Sequence, residues 1–528
     1  RRYKIFMNNK KIHTAEHFFL KAQYYEKKNE WQSAILCYES ALKLQPNHLE
    51  ACHNLAIALR NHGKMERALT ASLKAANLAP DNPIIQFSVG VSLERLGKSE
   101  RAIEVYKNII KQRSNYIPAL NNLGRLLDLK GNTIEAIKLL KKALKKDANS
   151  TDVIINLANC YLSIGKPKKT INLLLPLVKG NKERKIAHQE IALNSIGVAS
   201  HILHDYRKAV IYFRKAIKTV PNFAEAHENL AQTLLFLGQY NNAWIEYEWR
   251  WLNQNNNQSK PRFLGVPWNG EHLDNETLLI YAEQGFGDVI QFSRFISMID
   301  IQKENLILAC QPALVDLLTT LTSIITVKNI NGKLPSYNKY VPLLSLPRIL
   351  KISMDNIPSA PYLSAFPKNI LGDMTGLKIG INWAGMPRHQ SDPYRNRSCP
   401  VEAFEPLISL HGVNFFSLQT GQHSTELGKI NKTSSVKDLS AFIKSFKDTA
   451  ALVNELDVVI TVDTALAHLA GAMGKAVWVL LAKHSDWRWN TRYKKNIWYP
   501  TARIFKQSTP GDWSDPLNNI VKELKKLM

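Results

Sequence analysis

Residues 458–481 read VVITVDTALAHLAGAMGKAVWVLL: two apolar runs separated by a polar turn and a stretch of small residues. The runs at 458–462 and 476–481 are short and rich in β-branched residues, which is typical of buried strands. Residues 465–474, between them, have the length and composition of a helix. The segment therefore predicts a strand, a helix and a second, parallel strand.

The same alternation extends over the second half of the chain. Short apolar runs alternate with helical stretches, interrupted by the Pro-rich crossing NIPSAPYLSAFP at residues 356–367. This pattern is typical of parallel sheets covered by helices on both faces. We predict two Rossmann-like lobes, at 277–366 and 367–512, and a C-terminal helix at 513–528. Ligands of such folds bind beyond the carboxyl ends of the strands.

The first half of the chain repeats itself every 34 residues. Each repeat is marked by an alanine and, twelve positions earlier, by a second small residue. The pairs are Ala34 with Ala22, Ala68 with Ala56, Ala102 with Gly90, and Ala136 with Gly124. Because small residues at facing positions let two helices pack closely, each repeat predicts a helical hairpin. The period continues, with one slip of five residues, to the motif YEWRW at 247–251.

These hairpins resemble the tetratricopeptide repeat, with seven units over residues 15–252. An N-terminal extension at 1–14 precedes them, and a linker rich in Pro, Gly and Asn follows at 253–276. Such repeats form a superhelix whose concave face usually binds an extended peptide or a partner protein. Asparagines of the first helices could bond the backbone of a bound peptide or could be ordinary solvated residues. They are Asn54, Asn121, Asn122, Asn156, Asn194 and Asn229.

The composition limits the classes of binding partner and the cellular compartment that we expect. The net charge is +25, and residues 1–250 hold 39 Lys and Arg against 21 Asp and Glu. This excess favours acidic partners or peripheral contact with an anionic membrane, or it reflects a generally basic proteome. We expect no nucleic-acid binding, because the repeats lack interleaved basic and aromatic residues. We find no signal peptide or membrane span, and the five cysteines have no C-x-x-C spacing, so a cytoplasmic protein is expected.

Residues 281–292, YAEQGFGDVIQF, place Gln284, Gly285, Gly287 and Asp288 on a strand-to-helix turn. The two glycines suggest a dinucleotide cradle. However, the third glycine of that fingerprint is missing, and the next strand ends without an acidic residue. From the residues alone, Asp288 is either a functional carboxylate or only a favourable helix cap.

The second lobe predicts a phosphate site. Asp463 and Thr464 follow a buried strand, and the small Ala465 lets a ligand approach the N–H groups that open the next helix. Upstream, residues 382–398, NWAGMPRHQSDPYRNRS, bring basic side chains to the same edge of the sheet. Arginine forks suit a diphosphate, although a basic loop can also be solvated surface. The basic residues of this loop are Arg388, His389, Arg395 and Arg397.

Six segments together resemble the heptosyltransferase-type family 9 glycosyltransferases and, more closely, bacterial proteins that fuse tetratricopeptide repeats to such a domain. They are GDV at 287–289, NWAG with RNRS within 382–398, FFSLQ at 415–419, DLS at 438–440, residues 458–481, and DWRWN at 486–490. The resemblance implies a GT-B fold and an inverting transfer of a sugar from a nucleotide-diphosphate donor to an acceptor hydroxyl. It also implies no required metal and no other cofactor.

The resemblance also assigns residues. Asp288 matches the proposed general base of the family. The D-T-x-x-x-H segment, which contains Asp463, Thr464, Ala465 and His468, matches the turn that holds the donor diphosphate.

Further candidates come from neighbouring positions in the same segments. Arg388, Arg397 and Trp383 are candidates for binding the donor phosphates, and the two arginines would stabilise the departing diphosphate. Gln419 and Asp438 are candidates for contacts with the nucleotide or its ribose.

Two departures from the family pattern keep a second hypothesis open. Ala465 stands where family members usually have Gly, and the Lys and the Thr or Ser that help to hold the donor phosphate have no clear match in residues 382–390. The first hypothesis is a cytoplasmic glycosyltransferase whose repeats dock a protein acceptor, an arrangement similar in fold to O-GlcNAc transferase. The second is a non-enzymatic repeat scaffold with a degenerate transferase domain.

Overall fold

The structure is a computed structural model. It describes residues 14–179, 187–253, 265–321, 326–359, 361–385, 397–430, 435–492 and 495–528. The predicted extension at 1–14, apart from Thr14, and the predicted site residue Arg388 lie outside these ranges. The chain divides into two compact units, Arg1–Ser195 and Ile196–Met528.

The first unit is helical, and its helices follow one another as hairpins. Its elements are α1 (Ala15–Lys27), α2 (Trp31–Leu44), α3 (Leu49–Asn61), α4 (Met65–Leu78), α5 (Pro83–Arg95), α6 (Ser99–Gln112), α7 (Ile117–Leu129), α8 (Thr133–Leu144), α9 (Thr151–Ser163) and α10 (Pro167–Lys179). The division into units falls within α11 (Gln189–Ile202). The all-helical repeat region expected from the 34-residue period is confirmed.

Small residues bring the two helices of a hairpin together, as the period predicts. A Cβ atom added to Gly90 would lie 2.4 Å from the ring of Tyr106, and one added to Gly124 would lie 2.7 Å from Leu140. The turn inside each hairpin uses a left-handed backbone, which glycine adopts most readily. The left-handed residues are Asn29, Gly63, Gly97, Gly131, Gly165, His204 and Gly238.

The second unit opens with the last helices of the repeat region. They are α12 (Tyr206–Thr219), α13 (Ala224–Phe236) and α14 (Tyr240–Tyr247), and a 3₁₀ turn at Glu248–Trp251 extends α14. One continuous apolar core runs from Ala209 of α12 to Tyr499. The last hairpins therefore pack as part of the same body as the sheets that follow.

The first sheet has five parallel strands in the order β1-β5-β2-β3-β4. Its elements in chain order are β1 (Val266–Pro267), β2 (Leu278–Tyr281), α15 (Phe286–Phe292), β3 (Leu306–Cys310), α16 (Val315–Leu318), β4 (Thr326–Asn329), β5 (Lys339–Pro342) and α17 (Leu346–Ile349). The chain runs from β2 outward to β4 and then returns to the other side of β2. This reversal leaves a crevice at the carboxyl end of β2.

The second sheet has six parallel strands in the order β11-β10-β9-β6-β7-β8. Its elements are β6 (Leu377–Asn382), α18 (Glu405–Ile408), β7 (Val413–Ser417), β8 (Val436–Asp438), α19 (Phe446–Glu455), β9 (Val458–Val462), α20 (Ala465–Ala472), β10 (Ala476–Leu481), β11 (Ala502–Lys506) and α21 (Ser514–Leu524). Here the reversal lies between β6 and β9. The expected pair of Rossmann-like lobes, as in a GT-B fold, is confirmed.

The stretch predicted as a linker, residues 253–276, ends inside the first sheet. Val266 pairs with Lys339 as part of the two-residue strand β1, and Trp268 is buried. A strand that contains Pro267 is possible because it lies at the sheet edge, where the missing N–H is not needed. No helix in the part of the chain described is both long enough and apolar enough to cross a bilayer.

The close approach at Gly90 gives a direct test of the hairpin packing. We expect Gly90→Leu to lower the free energy of unfolding by about 1–3 kcal/mol, because the new side chain must displace the buried Tyr106 ring. Gly428→Leu is the control, since a Cβ atom at that position meets nothing within 4 Å. Chemical denaturation of the full chain measures both. Equal losses for the two variants would contradict this packing.

Candidate active site

The two sheets of the second unit face a shared cavity of about 770 Å³. It lies at the carboxyl ends of β2, β6, β7 and β9, and so at the chain reversal of each sheet. Parallel α/β sheets bind ligands at this position. Its lining includes the predicted site residues Gly285, Gly287, Asp288, Arg397, Gln419, Asp463, Thr464, Ala465 and His468.

Asp288 lies on the first wall and also caps its own helix. The helix α15 begins after Gly285, and the Asp288 Oδ2 accepts a hydrogen bond from the Gly285 N–H at 3.2 Å. Its Oδ1 accepts from Nη2 of Arg488 at 2.6 Å. A carboxylate oxygen has a second acceptor position. Capping therefore leaves Asp288, which lines the cavity, able to accept a further hydrogen bond.

Arg488 is the main site residue that the sequence analysis did not select. It is buried, and besides Asp288 it bonds Asp486 Oδ1 at 3.0 Å and the side-chain oxygen of Gln291. Burial opposes its charged form, but Asp486 and Asp288 outweigh burial and raise the pKa of Arg488. The Arg488 guanidinium therefore stays positively charged, and the protein itself supplies a cation beside Asp288.

The second wall is the turn between β9 and α20. The Asp463 carboxylate accepts a hydrogen bond from the Trp489 indole N–H at 2.7 Å, and the Asp463 carbonyl accepts one from Arg397. Thr464 precedes α20 in an extended conformation, and its side chain does not cap the helix. Ala465 starts the helix itself and does not have a left-handed backbone. Alanine is therefore compatible with this turn without strain.

His468 lies where the two lobes come into contact. A Cβ atom on Gly287 would lie 2.8 Å from the His468 ring, and the ring bonds the Tyr499 hydroxyl at 3.0 Å. Burial, together with the nearby Arg488, holds the pKa of His468 well below its ordinary value. His468 is therefore a neutral packing residue on the cavity wall rather than a cation for a phosphate.

Gln419 takes a different role from the predicted ribose contact. Its Oε1 accepts from the backbone N–H of Trp383 at 3.2 Å and of Ala384 at 2.9 Å, and from the side chain of Asn382 at 2.9 Å. Its Nε2 donates to two carbonyls, of Ala384 and Thr420. Because these bonds occupy the whole amide, Gln419 holds the loop after β6 in place and does not offer its side chain to a ribose.

Three predicted residues that the structure describes lie outside the cavity lining: Gln284, which precedes the turn glycine Gly285, and Trp383 and Asp438. Trp383 is fully buried in the core of the second lobe, where its indole N–H bonds Glu426. Asp438 is exposed at the end of the edge strand β8, and its oxygens bond the N–H and hydroxyl of Ser440 at 2.9 and 3.0 Å. Core packing removes the Trp383 side chain from contact with a donor, so we correct that assignment, whereas the Asp438 side chain serves a local turn outside the cavity lining.

Aromatic side chains from the two lobes meet across the cavity. The rings of Phe286 and Phe446 are 5.2 Å apart in an edge-to-face arrangement, and both line the cavity. Lys444 and Ser445, which precede α19, line it as well. The sequence analysis missed this segment. Its only sequence signal is the capping pair Ser445 and Asp448 at the start of α19.

The comparison with known families agrees with this architecture. Tetratricopeptide-repeat profiles match residues 19–83, 87–151, 129–189 and 212–245. The family described as glycosyltransferase family 9 (heptosyltransferase) matches residues 413–506. The chain carries tetratricopeptide repeats followed by a family 9 glycosyltransferase domain. The matched part of the transferase domain contains Asp463 and Arg488, whereas Asp288 lies ahead of it.

Among curated proteins, the chain is similar to protein FlbA of Caulobacter vibrioides, with 24% identity over 405 residues. The match covers 63% of this chain and 66% of FlbA, just under two thirds of that protein. Among solved structures, a tetratricopeptide repeat protein from Parabacteroides merdae matches with a TM-score of 0.40 and 16% identity, over 47% of this chain and 94% of that one. PilF of Pseudomonas aeruginosa matches with a TM-score of 0.33 and 17% identity, over 39% of this chain and 91% of that one.

A second cavity, of about 280 Å³, lies where the last repeats of the second unit meet the transferase domain. Side chains of α11 and α13 line one side, and residues 484–487 line the other. His201 bonds Thr233 at 2.8 Å, and the rings of His204 and His484 stack 5.5 Å apart. Asp486 lines both cavities.

Two partly buried histidines of this second cavity, His201 and His484, predict a loss of stability in acid. Burial lowers the pKa of both His201 and His484 to about 4. An unfolded histidine titrates near 6.5, so the unfolded chain binds more protons between about pH 6.5 and about pH 4. Stability therefore falls as the pH falls through this window.

The test compares thermal unfolding midpoints from about pH 7 to about pH 4. We expect His201→Asn, whose amide can still bond Thr233, to show a smaller fall than the wild type. His62→Asn, at an exposed histidine of the repeats, should follow the wild type. An unchanged fall for His201→Asn would exclude His201 as a source of the acid sensitivity.

Proposed function

We propose that this protein transfers a sugar from a nucleotide-diphosphate donor to an acceptor hydroxyl, with inversion at the anomeric carbon. The observation that carries the proposal is the shared cavity. Asp288 lines it from one lobe and the turn at Asp463 and Thr464 from the other. A single displacement needs a base on the acceptor side and stabilisation of the leaving anion on the donor side. A carboxylate that faces a phosphate-binding type of turn across one cavity meets both needs.

The donor diphosphate is assigned to the second lobe. The N-terminal end of α20 offers backbone N–H groups and the positive end of a helix dipole. Arg397 is held beside this turn through its bond to the Asp463 carbonyl, and its Nη2 lies near Gly385 at the cavity wall. Lys444 adds a positive charge on the same cavity. Arg397, Lys444 and the N–H groups of α20 would replace the phosphate-binding Lys of the family, which has no match in residues 382–390.

The acceptor hydroxyl is assigned to the Asp288 side. Its oxygen forms a bond to the anomeric carbon while the bond from that carbon to the diphosphate breaks. The hydroxyl proton passes to Asp288, and the departing diphosphate keeps the electron pair. Arg488 fixes the orientation of the Asp288 carboxylate during this step. Stabilisation of the leaving diphosphate should make the larger contribution to rate.

We further propose that the acceptor is a protein that the repeats dock. Repeat superhelices bind extended chains on their concave face. The second cavity, lined by repeat helices and reaching Asp486, would bring such a chain towards the Asp288 wall. A cytoplasmic location is part of the proposal, and it is supported by five unpaired cysteines, four of them buried.

Asp288 gives the sharpest test of the reaction. The purified full chain would be offered a panel of nucleotide-diphosphate sugars, with release of nucleoside diphosphate measured in the presence of EDTA. We expect turnover with at least one donor, and a loss of roughly 10²–10⁴-fold in Asp288→Asn, which keeps the shape but lacks the basic oxygen. Asp438→Asn is the matched control, because Asp438 lies outside the cavity.

Nucleotide binding separates the proposal from a non-enzymatic scaffold. Isothermal calorimetry should show that Asp288→Asn binds a nucleoside diphosphate as tightly as the wild type. No turnover with any donor and no nucleotide binding would reject the enzyme and favour the scaffold. Equal turnover in Asp288→Asn would instead reject Asp288 as the base.

Arg397 tests the donor side independently. We expect Arg397→Ala to weaken nucleoside-diphosphate binding by roughly 10- to 100-fold, the loss typical of a charge-assisted hydrogen bond. Arg503→Ala is the control, since Arg503 forms an exposed ion pair with Glu523 away from the cavity. Calorimetry with nucleoside diphosphate alone measures both variants. Similar affinities for the two would remove Arg397 from the donor site.

A further inference from the structure

The motif YEWRW at the end of the last repeat contacts the turn that carries Asp288. Trp244, Tyr247 and Arg250 are spaced three residues apart along α14 and its 3₁₀ extension, and all three are buried. Residues three apart on a helix lie close to one face. This face runs along the segment that consists of β2, the turn after it and α15.

Trp244 packs against the far end of that segment. Its ring lies 6.0 Å from the ring of Phe292, the last residue of α15, and 5.9 Å from the ring of Trp487, next to Arg488. Its indole N–H donates to the carbonyl of Ile352 at 3.0 Å. The position of α15 is therefore fixed by the last repeat as well as by the sheet.

Tyr247 bonds the strained residue of the turn. Gln284 has a left-handed backbone, with φ of 69°, immediately before the helix cap Gly285. A non-glycine residue keeps such a backbone only where its surroundings hold it there. The Tyr247 hydroxyl bonds Gln284 Oε1 at 3.2 Å, and Gln311 bonds the Gln284 carbonyl at 2.8 Å.

Arg250 bonds the residue before Gln284. Its Nη2 donates to Glu283 Oε1 at 2.7 Å and to the Ser345 hydroxyl at 2.8 Å. The same Glu283 oxygen accepts from the Leu344 N–H at 3.2 Å, so it joins the loops that follow β2 and β5. Burial raises the pKa of Glu283, and Arg250 opposes that shift. Removing one partner of a buried ion pair leaves the other charge uncompensated.

We infer that Tyr247 and Arg250 of the last repeat are positioning residues for the turn that carries Asp288. The catalytic consequence rests on the proposed role of Asp288, but the conformational consequence does not. Both act through Glu283 and Gln284, which determine where α15 begins. The start of α15 in turn determines how its third residue, Asp288, is placed in the cavity. The final repeat is thus a working part of the transferase and not only a docking module.

The experiment measures the turn directly. Hydrogen–deuterium exchange of the full chain would follow the backbone amides of residues 283–289 in Tyr247→Phe and Arg250→Lys. We expect these amides to exchange about tenfold faster than in the wild type, the change that corresponds to loss of about one hydrogen bond. Nucleoside-diphosphate affinity, which depends on the second lobe, should stay within about twofold.

The controls are Tyr212→Phe and Arg503→Lys, which make the same chemical changes on α12 and β11 away from the turn. Where a donor is turned over, kcat should fall about tenfold in Tyr247→Phe while KM for the donor stays unchanged. Exchange at 283–289 equal to that of the controls would overturn the inference, whatever happens to the unfolding midpoint. If no donor is turned over, the proposed function is rejected. The exchange result would still decide whether Tyr247 and Arg250 position the turn.

Discussion

Two adjacent side chains, Arg488 and Trp489, hold the carboxylates on the two walls of the cavity. Arg488 bonds Asp288 of the first lobe, and Trp489 bonds Asp463 of the second. Both belong to one short 3₁₀ turn that Asp486 caps. Since adjacent residues of one short turn are covalently joined, this turn links the position of the proposed base to that of the proposed diphosphate site.

Buried charge makes that constraint strong. A guanidinium taken out of water is costly unless it is fully paired, and Arg488 meets this demand with Asp288, Asp486 and Gln291. Moving Asp288 away would remove one of the two carboxylates that pair with this cation. The absence of a side chain at Gly287 then allows α15 to pack directly on His468. One relative orientation of the two lobes therefore satisfies both the pairing of Arg488 with Asp288 and the packing of α15 on His468.

The sequence predicted the architecture well because repetition and strand–helix alternation are local signals. It also selected Asp288 and Asp463, since each follows a buried strand, and the carboxyl ends of parallel strands meet at one edge. It did not distinguish polar residues that face the cavity from those that brace a loop, so Gln419 was misassigned. Arg488 was missed because it lies 200 residues from Asp288 in the chain, and no local pattern reports such a contact.

The sequence also did not predict how the last repeat packs. The 34-residue period stops near residue 252, which suggests a domain boundary, but the apolar core continues from α12 through both sheets. A repeat array needs a cap for its last exposed apolar face. Here Trp244 and Tyr247 on that face are buried. Burial of one such ring removes roughly 150–250 Å² from water, or about 4–6 kcal/mol at about 25 cal/mol per Å².

That contribution exceeds the roughly 1 kcal/mol of a typical single hydrogen bond. Apolar contact therefore attaches the last hairpin to the transferase lobes, and the weaker polar bonds of Tyr247 and Arg250 then determine the local conformation of the turn. The transferase serves as the cap of the repeat array, and in return the array supports the turn that carries Asp288. A division of this chain at the end of the repeat period would expose both surfaces, whereas the division between the compact units, at Ser195, leaves this packing intact.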